Sequence, residues 1–173
     1  CRQTAQSPAG PLVWPLQGVE TACMIGWHGV SVLAEAHAKG VKADYAAAWP
    51  NIRRRAFVRD YKDIDSTLGR GFYYDLGYIP CDEVWESVSR TQEYAYDDWA
   101  MAHLADAVGP KDDAAALRKR AQNYRGVIDP ESRCARPRFK DGSWWNDYDP
   151  VQTGHNVKKW RDYTEANGWQ ATF

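Results

Sequence analysis

PCDEVWESVSRTQEYAYDDWAMAHLADAVGP, residues 80–110, reads as one long helix and sets the fold class. Pro80 and Asp82 supply a start, and Gly109-Pro110 a stop. Val84, Val88, Thr91, Ala95, Trp99 and Ala102 recur at helical spacing and are expected to face the core. Glu86, Arg90, Glu93 and Asp97 follow one another at intervals of four, three and four, so they share a second face. That face points either into a cleft, where Arg90 would orient carboxylates or bind hydroxyls, or into water as a ladder of weak ion pairs. Asp97-Asp98-Trp99 sets two acids beside an indole, a combination suited to sugars without being specific to them.

Upstream, an expected helix over residues 20–38 carries Cys23, Trp27, Val30 and Ala34 at helical spacing, with Gly40 as its stop. Cys23 reads as a small buried hydrophobe. Gly26 and Gly29 flank Trp27-His28 inside this pattern. Because glycine inside a helix costs about 1 kcal/mol relative to alanine, the pair suggests close approach by another group. His28 is then either a core histidine or a residue facing a site. A second helix is expected over 44–58, capped by Asp44 and kinked at Pro50. Residues 60–80, punctuated by Gly69, Gly71 and Gly77, read as a loop with room for a short hairpin.

Downstream, 112–124 reads as a helix with Leu117, Ala121 and Tyr124 on one stripe. Residues 129–156 are rich in Pro, Gly, Asp and Trp, a length that is usually functional or locally β. A last helix is expected from about Val157 to before Asn167. Helices in pairs, with no alternation of strand and helix, predict an all-α, α/α architecture with long loops and short β-hairpins.

The bulk properties exclude several classes. With 173 residues, 44% hydrophobic and nine of them tryptophan, the chain can bury a core. Twenty-two basic against 23 acidic residues give a net charge of −1, so nothing favours nucleic acid or an anionic membrane as partner. Arg53-Arg54-Arg55 and Arg118-Lys119-Arg120 read as solvated helix faces. No run approaches the roughly 20 apolar residues of a membrane span. Cys1, Cys23, Cys81 and Cys134 lack zinc spacing.

The stretch Tyr163-Thr164-Glu165-Ala166-Asn167-Gly168-Trp169-Gln170 carries the sharpest chemistry. A carboxylic acid can protonate a glycosidic oxygen, amides can hold hydroxyls, and an indole face can carry a pyranose. Desolvation beside Trp169 would suit Glu165 to that role; otherwise Glu165 is an exposed glutamate near a helix end. Asp141, Ser143, Asp147 and Asp149 invite a calcium reading, but an EF-hand register is missing. Trp144 and Trp145 read as a sugar platform or as a plug in a helical floor. A two-carboxylate glycosidase needs a second carboxylate that no residue after Phe173 supplies. The chain is therefore expected to be one partial domain, residues 1–173, truncated at both ends.

Taken together, Met24-Ile25-Gly26-Trp27-His28, Gly77-Tyr78-Ile79-Pro80, the run Ser87 to Trp99, Arg120-Ala121-Gln122-Asn123-Tyr124, Asp141-Gly142-Ser143-Trp144 and Tyr163-Thr164-Glu165 resemble glycoside hydrolase family 92, the calcium-dependent exo-acting α-mannosidases. The resemblance runs from about residue 11 to residue 173. It implies part of an (α/α)6 barrel, normally joined to an N-terminal β-sandwich. It also implies hydrolysis of terminal α-mannosidic linkages, α-1,2 foremost, with inversion. Glu165 matches the general acid, Asn167 and Gln170 match amides near the sugar, and His28, Arg90 and Asp97 fall in motifs close to the cleft. Trp169 joins them as a sugar-binding indole. The water-activating aspartates and the calcium ligands would lie outside this chain, which alone would be inactive. The implied partner is a mannose-containing glycan, and the implied location is secreted, periplasmic or cell-surface. The rival readings are a non-catalytic glycan-binding module and a structural α/α scaffold. In the family the acid motif usually reads Thr-Glu-Gly-Asn-Ala-Trp-Gln-Tyr. Here Ala166 and Gly168 exchange places, which would move the position able to adopt φ > 0.

Overall fold

The computed structural model describes residues 1–59, 67–152 and 162–173. Among them the chain is mainly helical: α1 (Arg2–Gln6), α2 (Gly29–Ala38), α3 (Tyr45–Phe57), α4 (Arg70–Asp75), α5 (Ser87–Val108) and α6 (Lys111–Arg120), followed by a 3-10 segment at Ala121–Val127. Strands β1 (Pro15–Leu16) and β2 (Val19–Glu20) pair antiparallel. Gln17 and Gly18 turn between them at φ +52° and +81°, as a type I′ hairpin requires. The chain divides into two compact units, Cys1–Leu68 with Tyr94–Ala121 and Gly69–Glu93 with Gln122–Phe173.

In the first unit, α3 starts where Asp44 accepts the Ala47 N–H at 2.9 Å, as expected of an N-cap. The helix continues through Pro50, which faces solvent. The Ala46 carbonyl that loses its partner there lies on an exposed residue, within reach of water. Acids in the first turn of α6 and bases in its last complement the helix dipole. Trp27, Val30, Ile52, Tyr94, Met101, Leu104 and Leu117 form the buried interior, with Trp27 and Tyr94 stacked at 5.0 Å.

Several expectations are corrected here. α2 begins at Gly29, not near Glu20. The Glu20 carboxylate accepts the N–H groups of Val13, Trp14 and Ala22, while Ala22 and Gly26 adopt φ +50° and +80°, so residues 20–28 cannot be helical. Cys23 consequently lies exposed. The basic clusters are not uniformly solvated. Arg55 is buried and donates to the Ala9 carbonyl, and Arg120 grips Asp98 with two hydrogen bonds of 2.5 Å.

In the second unit, Phe72, Tyr73 and Tyr74 lie in α4 where a loop or hairpin was expected. Gly69 initiates α4 at φ +76°, and a Cβ there would meet Ile79 at 2.8 Å. α5 starts at Ser87, seven residues past Pro80, because Glu86 sits at φ +55°. Isolated antiparallel bridges Ile128–Ala135 and Arg138–Trp144 give the long downstream loop the local β character its composition suggested. Tyr78, Val88, Val127, Ala135 and Tyr163 pack as this unit's core. Most of the expected last helix lies outside the described residues, and Asp162 to Glu165 form a bend.

The two faces read from α5 are also corrected. Trp99, assigned to the core, is 52% exposed. Glu86, Arg90 and Asp97 are buried and Glu93 half-buried, so the charged face is no solvated ladder. A helix with apolar and paired charged residues turned inward cannot be parsed by hydrophobic period alone.

Candidate active site

In the first unit, Asp97 on α5 is fully buried and binds the turn that leads into α2. Its Oδ2 accepts the Trp27 N–H at 2.6 Å, and its Oδ1 lies 2.8 Å from His28 Nδ1. Burial pushes the Asp97 carboxyl up to about 6, although the bonds from His28 and Trp27 pull the other way. The His28 side chain is 31% exposed, so the pair presents an imidazole whose orientation is set from beneath. The close approach expected of the two glycines is found. A Cβ on Gly26 would stand 2.7 Å from Asp97 Oδ2, and one on Gly29 would stand 2.6 Å from the Leu12 carbonyl oxygen.

In the second unit, Arg90 is 1% exposed. Its Nε donates to the Trp85 carbonyl at 3.0 Å and its Nη2 to Glu86 at 3.2 Å, and the guanidinium covers the Trp85 ring. Arg90 thus fixes the strained Trp85–Glu86 backbone at the mouth of α5.

Glu165 is exposed, and among the described residues its carboxylate makes no hydrogen bond or ion pair. Trp169 is 54% exposed and tilts onto Phe173 at 4.7 Å, so it does not bury Glu165 as the sequence suggested. What fixes Glu165 is its backbone. Asp162 O accepts the Val88 N–H at 3.2 Å, and Ser89 Oγ accepts the Thr164 N–H at 3.0 Å. Beyond it, Asn167 donates to the Val151 carbonyl and accepts the Gln170 N–H, Trp169 N–H donates to Pro150 O, and Gln92 Nε2 donates to Ala171 O. Asn167 is therefore occupied in holding its own turn, while Gln170 is exposed.

Neither Ala166 nor Gly168 uses a positive φ. Gly168 answers a steric demand instead: a Cβ there would stand 2.0 Å from the Tyr148 hydroxyl and 2.7 Å from the Ala135 carbonyl oxygen. The Tyr148 and Tyr163 hydroxyls both donate to that carbonyl. Ser89 and Gln92 stood in the sequence only as members of the run Ser87 to Trp99, and Tyr148 only as an aromatic in the turn Asp147-Tyr148-Asp149-Pro150, with no role of their own. The run Ser87 to Trp99 drew attention to α5, but no periodic signal marks a serine that binds a backbone 75 residues away.

Taken each by itself, the first unit's buried carboxylate–imidazole pair and the second unit's solvent-facing glutamate among amides and an indole are groups of the kind that bind hydroxyls. Residues 5–173 match the family model of the glycosyl hydrolase family 92 catalytic domain, and the chain belongs to that family. Among solved structures it is similar to a family 92 α-mannosidase of Bacteroides thetaiotaomicron, BT3965, at 37% identity and a TM-score of 0.80, over 96% of this chain and 21% of that one. It is also similar to the inverting mannosidase BT2199 of the same species, at 30% identity and 0.74, over 87% and 20%. BT3965 has also been solved in complex with mannoimidazole. No curated protein matches the chain. The fold is all-α, of the (α/α)6 barrel class of these structures, and the chain spans about a fifth of their length.

The described residues do not fit the calcium ion that the family implies. Among them no three His, Cys, Asp or Glu side chains gather as a metal site. Asp141 is taken up by the Ser143 N–H and hydroxyl, and Asp149 by the Val151 N–H. Trp144 lies under Arg138 and Trp145 stacks on Phe139, so both indoles serve the loop itself.

Proposed function

We propose that this chain supplies the proton donor of an exo-acting α-mannosidase that cleaves terminal, chiefly α-1,2, mannosidic linkages with inversion. The observation carrying this reading is the catalytic-domain match over residues 5–173, which runs through Glu165. The descriptions of the matched structures as α-mannosidases, one inverting, support it. Glu165 would protonate the bridging oxygen as the bond breaks. A carboxylate outside the described residues would direct water from the opposite face, with roughly 6.5–9.5 Å between the two carboxyls. Within the second unit, Gln170 offers an amide to hydroxyls and Trp169 an apolar face, while Asn167 holds the turn that carries them. Arg90, being buried, acts through the backbone it holds. Within the first unit, His28 is the group offered to a hydroxyl, and Asp97 sets its tautomer and direction. Calcium held by residues elsewhere, and a secreted, periplasmic or cell-surface location, belong to the same proposal and rest on the family resemblance.

The test is turnover of α-1,2-mannobiose. In the full-length enzyme, Glu165→Gln should lower kcat by about 10²–10⁴-fold, the usual worth of a general acid. Residues 1–173 alone should show no turnover. A Glu165→Gln enzyme of near-normal rate would remove the assignment.

A further inference from the structure

Glu165 is exposed and, among the described residues, bound by nothing through its own carboxylate. A general acid nevertheless has to sit within about 0.5 Å of its productive place. Two of the bonds that hold the backbone just before it involve the first turn of α5. Val88 N–H, one of the groups a helix start leaves unsatisfied, is capped by the Asp162 carbonyl. One residue further along the helix, Ser89 Oγ accepts the N–H of Thr164, the residue directly before Glu165. The first bond belongs to helix capping and would exist with any side chain. The second depends on a hydroxyl. Tyr163 between them is buried and anchored to the Ala135 carbonyl at 2.6 Å, so the backbone has little freedom on its near side.

We propose that Ser89 is a positioning residue for Glu165. Its hydroxyl holds the Thr164 amide, and so sets the direction in which the acid leaves the backbone. This deepens the reading of Glu165 as proton donor and rests on it. Without the hydroxyl the Thr164 N–H loses its acceptor, and the segment is free to shift. A displacement of about 1 Å at a reacting group is worth up to about 100-fold in rate.

The experiment compares two substrates in the full-length enzyme: α-1,2-mannobiose, whose leaving sugar needs a proton, and 2,4-dinitrophenyl α-mannoside, whose leaving group does not. Ser89→Ala should lower kcat on mannobiose by roughly 10-fold or more, with KM little changed, and leave the aryl mannoside within about 3-fold of wild type. Ser89→Thr, which keeps a hydroxyl, should restore the mannobiose rate. Ser89→Ala added to Glu165→Gln should cost nothing further on mannobiose. Equal losses on both substrates for Ser89→Ala, while Glu165→Gln still discriminates between them, would overturn the positioning role and leave the acid assignment standing. Equal losses for Glu165→Gln itself would bring down the acid reading instead. Should Ser89→Ala fail to fold, Ser89→Cys, with a weaker acceptor of similar size, is read in the same way.

Discussion

Asp97 and Glu165 are both carboxylates that the sequence singled out for sugar chemistry, and the molecule holds them in opposite ways. Asp97 has no solvent contact, and each of its oxygens has a partner, the Trp27 N–H and His28. Glu165 stands in solvent, and the bonds that place it belong to its neighbours' backbone. One acid is specified by its own atoms, the other by the segment that carries it. Substitution at Asp97 should therefore be felt as instability, whereas substitution at Glu165 should be felt as lost chemistry with the fold intact.

The largest effect on stability is expected from Asp97→Ala. It strips the acceptor from a buried N–H and from an imidazole and leaves a hole, a loss typically of about 3–5 kcal/mol. Asp97→Asn should cost less, because its amide oxygen can still accept from Trp27. Urea unfolding at pH 5, below the point at which Asp97 loses its proton, followed by tryptophan fluorescence measures both. A cost below about 1 kcal/mol for the alanine variant would erase the contrast with Glu165. Next in size is Gly168→Ala, which drives a methyl into the Tyr148 hydroxyl and the Ala135 carbonyl. Overpacking of that kind costs about 2–3 kcal/mol. Tyr148→Phe in the same chain should recover only part, since the carbonyl stays in place. A neutral Gly168→Ala would mean that the acid-bearing segment is loose, and the positioning argument would weaken with it.

The legible parts of the sequence were those where local rules and tertiary structure agree. The Asp44 cap, the Gly109-Pro110 stop and the glycines beside His28 each rest on one physical demand visible in a single residue type. The all-α class followed from helical periods that come in pairs with no alternation of strand and helix. The sequence misled where charge was turned inward. Arg55, Arg90, Arg120, Asp97 and Asp98 are all largely buried, so polar no longer meant outside, and Trp99 took a solvent position that its spacing denied. Periodicity also missed the non-helical run before α2, because Glu20 accepts the N–H of Ala22 within it and those of Val13 and Trp14 before it, which ties the run to the preceding loop. The exchange of Ala166 and Gly168 was read through which position can adopt φ > 0, whereas Gly168 makes room for Tyr148. Contacts with residues distant in sequence leave no pattern in a single chain, and the same limit hid Ser89.

Acid should separate the two units by sign. In the first, the folded state keeps a proton on Asp97 up to about pH 6, against an ordinary 3.8, so that carboxyl's stabilising contribution is present at low pH and is lost as pH rises through 6. In the second, Asp129 behaves in the reverse sense. Burial alone would raise its carboxyl, but bonds from Ser132, Arg136 and the Glu131 N–H outweigh that and hold it at about 2 against the same 3.8. The unfolded chain then binds the proton first as pH falls, so the stabilisation is full above about 4 and gone below about 2. The gap is worth up to about 2 kcal/mol. The stability difference between wild type and Asp129→Asn, measured in urea from pH 5.5 to pH 2.5, should shrink by about that much. A difference that stays flat over this range would mean that the Asp129 turn is held by its backbone bonds alone, the Arg133 N–H to Asp129 O and the Asp129 N–H to Cys134 O. The second unit would then owe nothing at this turn to carboxylate charge.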